Sequence, residues 1–166
     1  MDNIALKKFA VSARIKLIDG VKARAKLFGI EATGIKELQK FDGVLMVNGV
    51  PVENRHQLLY KHLVSEIKAH ALEYPFEDAY EMVMEEVAYT WFNRLIAIRF
   101  MEVNDYLPNR VRVLSSEKEG KMDPDLVTQA PDVDLVLTAL EKEEFLNWKL
   151  SGNSEDTDKL FGKLFL

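Results

Sequence analysis

The residues able to do chemistry are few and scattered. Three histidines, His56, His62 and His70, come first as metal ligands or proton carriers. His62, Glu66 and His70 fall on one helical stripe. Residues eight apart, however, sit about 12 Å apart along a helix axis, and one ion with bonds of about 2 Å cannot hold both ends. The histidines therefore read as polar surface residues. A second candidate, Glu119-Gly120-Lys121, resembles the end of the acid-x-Lys pattern that binds Mg²⁺ in nucleases. That chemistry needs a preceding aspartate on a neighbouring strand and a sheet to hold both, and only one strand, Val111–Leu114, is expected nearby. A third set is Glu86, Arg94, Arg99 and Glu102, within a largely apolar stretch. Glu86, Thr90, Arg94, Ile98 and Glu102 follow one another at i,i+4, and Arg99 reaches Glu102 at i,i+3. Buried charges must be paired or they are very costly. The set reads as a structural ion-pair network, with a ligand contact through Arg94 or Arg99 as the alternative.

Other signatures are missing. The sequence has no G-x-G-x-x-G, no G-x-x-x-x-G-K-[ST] and no G-x-S-x-G. It has no cysteine, which excludes disulfides and thiolate metal sites and fits a reducing, cytoplasmic compartment. No Ser-His-Asp set suggests itself. No catalytic, cofactor-binding or metal residue is assigned.

The elements that would position these residues are mostly helices. The chain has 166 residues, 48% apolar and 30% charged, with a net charge of −5, as for one globular domain. No apolar run approaches the roughly 20 residues of a membrane span, and charges interrupt the N-terminus too often for a signal peptide. The charge is uneven. Lys7, Lys8, Arg14, Lys16, Lys22, Arg24 and Lys26 against Asp2 and Asp19 leave residues 1–30 at +5 and the remainder at −10. The spacing predicts a helix over residues 3–28, capped by Asn3, ended by Gly29 and open to interruption at Asp19-Gly20. Leu6, Phe9, Ala10, Ala13, Leu17, Val21, Leu27 and Phe28 share one broad face. Lys7, Lys8, Arg14, Lys22 and Lys26 lie in an arc about 120° wide on the other side, together with Ile4, Val11, Ile15 and Ile18. This mixed face is either a DNA-phosphate surface, through those five cations, or is neutralised within the molecule.

Further along, a short helix is expected over Ile35–Phe41. Asn48-Gly49 between Val44–Val47 and Val50–Val52 signals a small hairpin with Pro51 on an edge arm. An amphipathic helix over residues 53–73 repeats Leu59, Leu63, Ile67 and Ala71. After Tyr74-Pro75 comes a helix over about 76–103, roughly 42 Å long at 1.5 Å per residue. Its second half, from Ala88 to Val103, is apolar nearly all round, so burial on every side is expected. Beyond it stand a short helix from Asp123-Pro124-Asp125, another capped by Asp132 or Asp134 and running to about Lys149, and an apolar end. The fold class expected is mostly α: a multi-helix domain around one long central helix, with at most a small hairpin or short strands.

The run Tyr89-Thr90-Trp91-Phe92-Asn93-Arg94-Leu95-Ile96-Ala97-Ile98-Arg99-Phe100-Met101-Glu102-Val103-Asn104, followed by Arg110-Val111-Arg112-Val113-Leu114-Ser115-Ser116, is distinctive. It resembles the N-terminal region of the PglX family, the adenine-specific DNA methyltransferases of BREX phage-defence systems. The resemblance implies S-adenosylmethionine as methyl donor, adenine N6 in duplex DNA as target, and partners in a defence complex. The family's Asn-Pro-Pro-Tyr motif is not here, since no two of Pro51, Pro75, Pro108, Pro124 and Pro131 are adjacent. The resemblance therefore implies a non-catalytic helical segment, residues 1–166 as a single domain, with the cofactor and the methyltransferase domain downstream in the same chain. Leu160, Phe161, Leu164 and Phe165 form an uncapped apolar stripe, expected to be an interface at a cut inside a helix. A stand-alone helical adaptor that binds protein through that stripe is the second reading, and a small metal-dependent nuclease around Glu119–Lys121 a third.

Overall fold

A computed structural model describes residues 3–52, 54–107, 110–121, 123–129, 138–151, 153, 156, 159 and 160. The chain divides into two compact units, Met1–Asn93 and Arg94–Leu166. Helix α3 contributes its beginning to the first and its end to the second. The architecture is mostly α, with two small antiparallel sheets.

The first unit opens with α1 (Asn3–Leu27), which runs through Asp19-Gly20 without a break. The expected interruption is absent because Gly20 has open space around it and one glycine costs a packed helix only about 1 kcal/mol. Gly29 ends the helix in a left-handed conformation (φ 68°), just after Phe28 and Gly29 donate their N–H groups to Ala25 and Lys26. A β-carbon at Gly29 would lie 2.8 Å from Lys36 Cβ and Val47 Cγ2, so a side chain here would clash.

Two sheets follow. β1 (Ile30–Glu31) pairs with β2 (Gly34–Ile35), and β3 (Gln39–Phe41), β4 (Val44–Val47) and β5 (Val50–Pro51) form a meander. The β4–β5 hairpin turns at Asn48-Gly49 as the sequence suggests. The helix expected over Ile35–Phe41 does not form. Asp42-Gly43 is a second hairpin turn, with φ 47° and 84°, and it draws residues 39–41 into a strand.

Helix α2 (Asn54–His70) buries Tyr60 and Ile67 and half-buries Leu63 and Val64. Leu59, expected on the inner stripe, is 67% exposed. The helix uses i, i+3, i+4, i+7 rather than a strict fourfold repeat, and the buried face rotates accordingly. Helix α3 (Phe76–Val103) starts just after Pro75, whose carbonyl accepts the Ala79 N–H at 3.0 Å. Its first half packs Tyr80, Val83 and Met84 into a core with Ala25, Ile30, Tyr60 and Ile67, and Ala79 is buried as well. Each larger side chain buried there contributes roughly 1.5–3 kcal/mol.

In the second unit, the end of α3 departs from the expected burial on every side. Ile96 is 45% and Phe100 59% exposed. Apolar composition all round shows that a helix can be enclosed, but enclosure needs neighbours on all sides, and here some faces have none among the described residues. Asp105 (φ 56°) ends the helix. Val111–Leu114 is not a strand; the N–H groups of Val113 and Leu114 are used elsewhere, as described below. Helix α4 (Asp125–Gln129) matches the short helix expected after Pro124. Helix α5 (Ala139–Ser151) is capped by Thr138, whose hydroxyl accepts the Glu141 N–H while Glu141 accepts the Thr138 N–H. Asp132 and Asp134, expected as caps, lie outside the described residues. Val127, Phe145 and Leu160 form the core of this unit, with Trp148 stacked on Phe145 at 5.9 Å.

Candidate functional site

The five cations expected to face phosphate do not share one fate. Arg14 Nη2 reaches Glu85 Oε2 at 2.9 Å, Lys22 reaches Glu81 at 2.6 Å, and Lys26 reaches Glu31 at 3.6 Å. These carboxylates belong to α3 and β1. The hydrogen bond to Glu81 raises the Lys22 pKa against the opposing effect of burial. Lys7 and Lys8 make no ion pair among the described residues. With Lys16 they border a shallow depression on α1 that also takes in Val11, Ser12 and Ile15.

Between α1 and α3 lies an open apolar groove of about 670 Å³, lined by Ala10, Met82, Ala88, Tyr89 and Phe92, with Arg14, Glu85 and Glu86 on its walls. Glu86, expected in the ion-pair network, is thus a groove residue. The other members of that set fall in the second unit. There Glu102 is 3% exposed and pairs with Arg99. Arg94 is exposed on α3. Phe161, Leu164 and Phe165 of the expected interface lie outside the described residues, and Leu160 is buried against Val127 and Phe145.

Glu102 does more than pair with Arg99. One of its oxygens accepts the backbone N–H of Val113 (2.9 Å) and of Leu114 (2.7 Å). The other accepts from Arg99 and from the Ser115 hydroxyl. Burial pushes the Glu102 carboxyl up, but the bonds from Ser115, Leu114 and Arg99 outweigh it and hold the group below the usual range. Asp125, in the first turn of α4, repeats the device on the other side of the loop. It is 6% exposed and accepts from Ser116 Oγ (2.6 Å), the Glu117 N–H (2.8 Å) and Lys121 Nζ (3.4 Å). Its carboxyl too is held low despite burial. Two buried carboxylates therefore fix the 113–117 loop. Sequence reasoning missed Asp125. Its signal was slight, an aspartate in the first turn of a short helix after Pro124.

All four carboxylate oxygens of Glu102 and Asp125 accept hydrogen bonds, from the loop, Arg99 and Lys121, and Lys121 also donates to Thr128 Oγ1 at 2.8 Å. Lys121 is thus committed to α4, which disfavours the acid-x-Lys nuclease reading. No group of three or more His, Asp or Glu residues able to hold a metal occurs among the described residues. No described helix is long and apolar enough to cross a membrane.

A helical segment whose buried carboxylates serve loops and whose apolar faces lie open is related to adenine-specific methyltransferases. PglX of Lacticaseibacillus casei (strain Zhang), an adenine-specific methyltransferase, is 41% identical over 143 residues, covering 81% of this chain and 11% of that protein. BrxX of Escherichia coli O9:H4 (strain HS), another adenine-specific methyltransferase, is 30% identical over 166 residues, all of this chain and 13% of that protein. No protein-family model matches the chain. The chain spans about a tenth of the length of these curated relatives. The resemblance to PglX carried by residues 89–104 and 110–116 is borne out: the chain is a relative of a segment of the PglX and BrxX adenine-specific methyltransferases.

Proposed function

We propose that the chain serves as a non-catalytic N-terminal helical domain of a PglX-like adenine-N6 DNA methyltransferase in a BREX phage-defence system. The observation that carries this reading is the match along all 166 residues to an adenine-specific methyltransferase of which they are 13%. Its work is scaffolding: it presents apolar helix faces to the rest of a longer polypeptide. S-adenosylmethionine and the target adenine are handled by the methyltransferase domain of that polypeptide, and duplex DNA and other defence proteins are its partners. The buried groups support the reading, because Glu102 and Asp125 accept hydrogen bonds that hold a loop.

The test is calorimetric titration of the 166-residue chain with S-adenosylmethionine, followed by incubation with labelled donor and duplex DNA. The expected result is neither binding nor methyl transfer. Methylation of adenine by this chain alone would overturn the proposal.

A further inference from the structure

The half of α1 nearest its N-terminus carries an aliphatic strip that nothing in the chain covers among the described residues. Val11 is 61% and Ile15 55% exposed. At about 100° per residue they lie between Lys7 on one side and Lys8, Ser12 and Lys16 on the other. These six residues line one depression of about 540 Å³. We propose that this face of α1 docks an acidic amphipathic helix of a protein partner.

Charge complementarity supplies the argument, and the molecule contains its own precedent. Three cations of α1 are answered by glutamates of neighbouring elements: Glu85 for Arg14, Glu81 for Lys22, Glu31 for Lys26. Two of those glutamates sit on the acidic, amphipathic first half of α3. Lys7, Lys8 and Lys16 continue the basic pattern, and no carboxylate answers them among the described residues. A helix of the same chemistry as the start of α3 would supply the missing charges along its edges and an apolar seam for Val11 and Ile15. A DNA backbone would answer the lysines but offers only charged phosphate to the aliphatic strip. The surface stands apart from the methyltransferase reading, since it rests on α1 alone.

Fluorescence anisotropy on the 166-residue chain tests it with three probes: a designed amphipathic helix with leucine seams and glutamate flanks, its lysine-flanked counterpart, and a short duplex DNA. The acidic helix is expected to bind and the basic one not. Val11→Ser with Ile15→Ser is expected to weaken the acidic helix about tenfold or more, since each aliphatic would lose most of its burial. Lys7→Glu with Lys8→Glu, and separately Lys16→Glu, are expected to weaken it and flatten its salt dependence. All these positions are exposed, and far-UV circular dichroism of each variant is expected to match the parent. The proposal is overturned if the acidic helix fails to bind. It is equally overturned if DNA displaces that helix and the lysine changes alone govern both, which would make the face a phosphate surface.

Discussion

Replacing Glu102 by alanine should release the 113–117 loop without unfolding the first unit. The substitution leaves the Val113 and Leu114 N–H groups, now 2.9 and 2.7 Å from one carboxylate oxygen, with no acceptor. An unsatisfied buried donor costs about 1–3 kcal/mol. Two such donors and the Ser115 hydroxyl bring the local loss to roughly 3–5 kcal/mol, the range for breaking a buried charged pair. Arg99 adds little, because its side chain is 48% exposed and water can take it back. Glu102→Gln should cost about half as much. Its one carbonyl oxygen can serve the two backbone donors, but its amide then faces Arg99 and the charge is lost. Amide hydrogen exchange followed by NMR reads the effect residue by residue. Protection at Val113 and Leu114 should fall by about two to four powers of ten in Glu102→Ala, while Ile67 and Met84 keep theirs. Unchanged protection at Val113 and Leu114 would refute the claim that Glu102 anchors this loop.

Other outcomes follow from the same geometry. Glu102 and Asp125 are both held below their ordinary values of 4.5 and 3.8, so folding stabilises their ionised forms. That contribution is present above the unfolded values and is lost as pH falls through the lower folded ones. Protection of the amides of residues 113–117, relative to the unprotected rate at each pH, should therefore fall in acid below about pH 4, less steeply in Asp125→Asn. Gly29→Ala forces a β-carbon to 2.8 Å from Lys36 and Val47 at a φ of 68°. It should cost about 1–3 kcal/mol in denaturant titration. Lys22→Met should cost under about 1 kcal/mol in the same titration, because its bridge to Glu81 is partly exposed.

The long helices were legible because their signals are local. Asn3 and Gly29 bracket α1, and Pro75 with Glu77 and Asp78 announces α3. The Asn48-Gly49 turn was legible for the same reason. Asp42-Gly43 carries an equal signal, but the residues of Ile35–Phe41 also suit a helix, and a strand of three residues leaves no period to contradict that. Val111–Leu114 looked like a strand because its composition is apolar. Its backbone donors go instead to a carboxylate eleven and twelve residues back, a contact that no periodicity encodes. Asp125 was missed on the same ground. The Arg99–Glu102 contact was visible at i,i+3, whereas the loop that completes it was not. Exposure of Ile96 and Phe100 was illegible in another way, since apolar composition does not tell which face a neighbour covers.

The most direct test removes the matched stretch from the Lacticaseibacillus casei PglX and then restores it with this chain. N6-methyladenine in host DNA, read by single-molecule sequencing, is the measurement. The account predicts that deletion abolishes adenine methylation and that these 166 residues, grafted in place, bring it back. Methylation that persists unchanged after the deletion would contradict a scaffolding role for this segment.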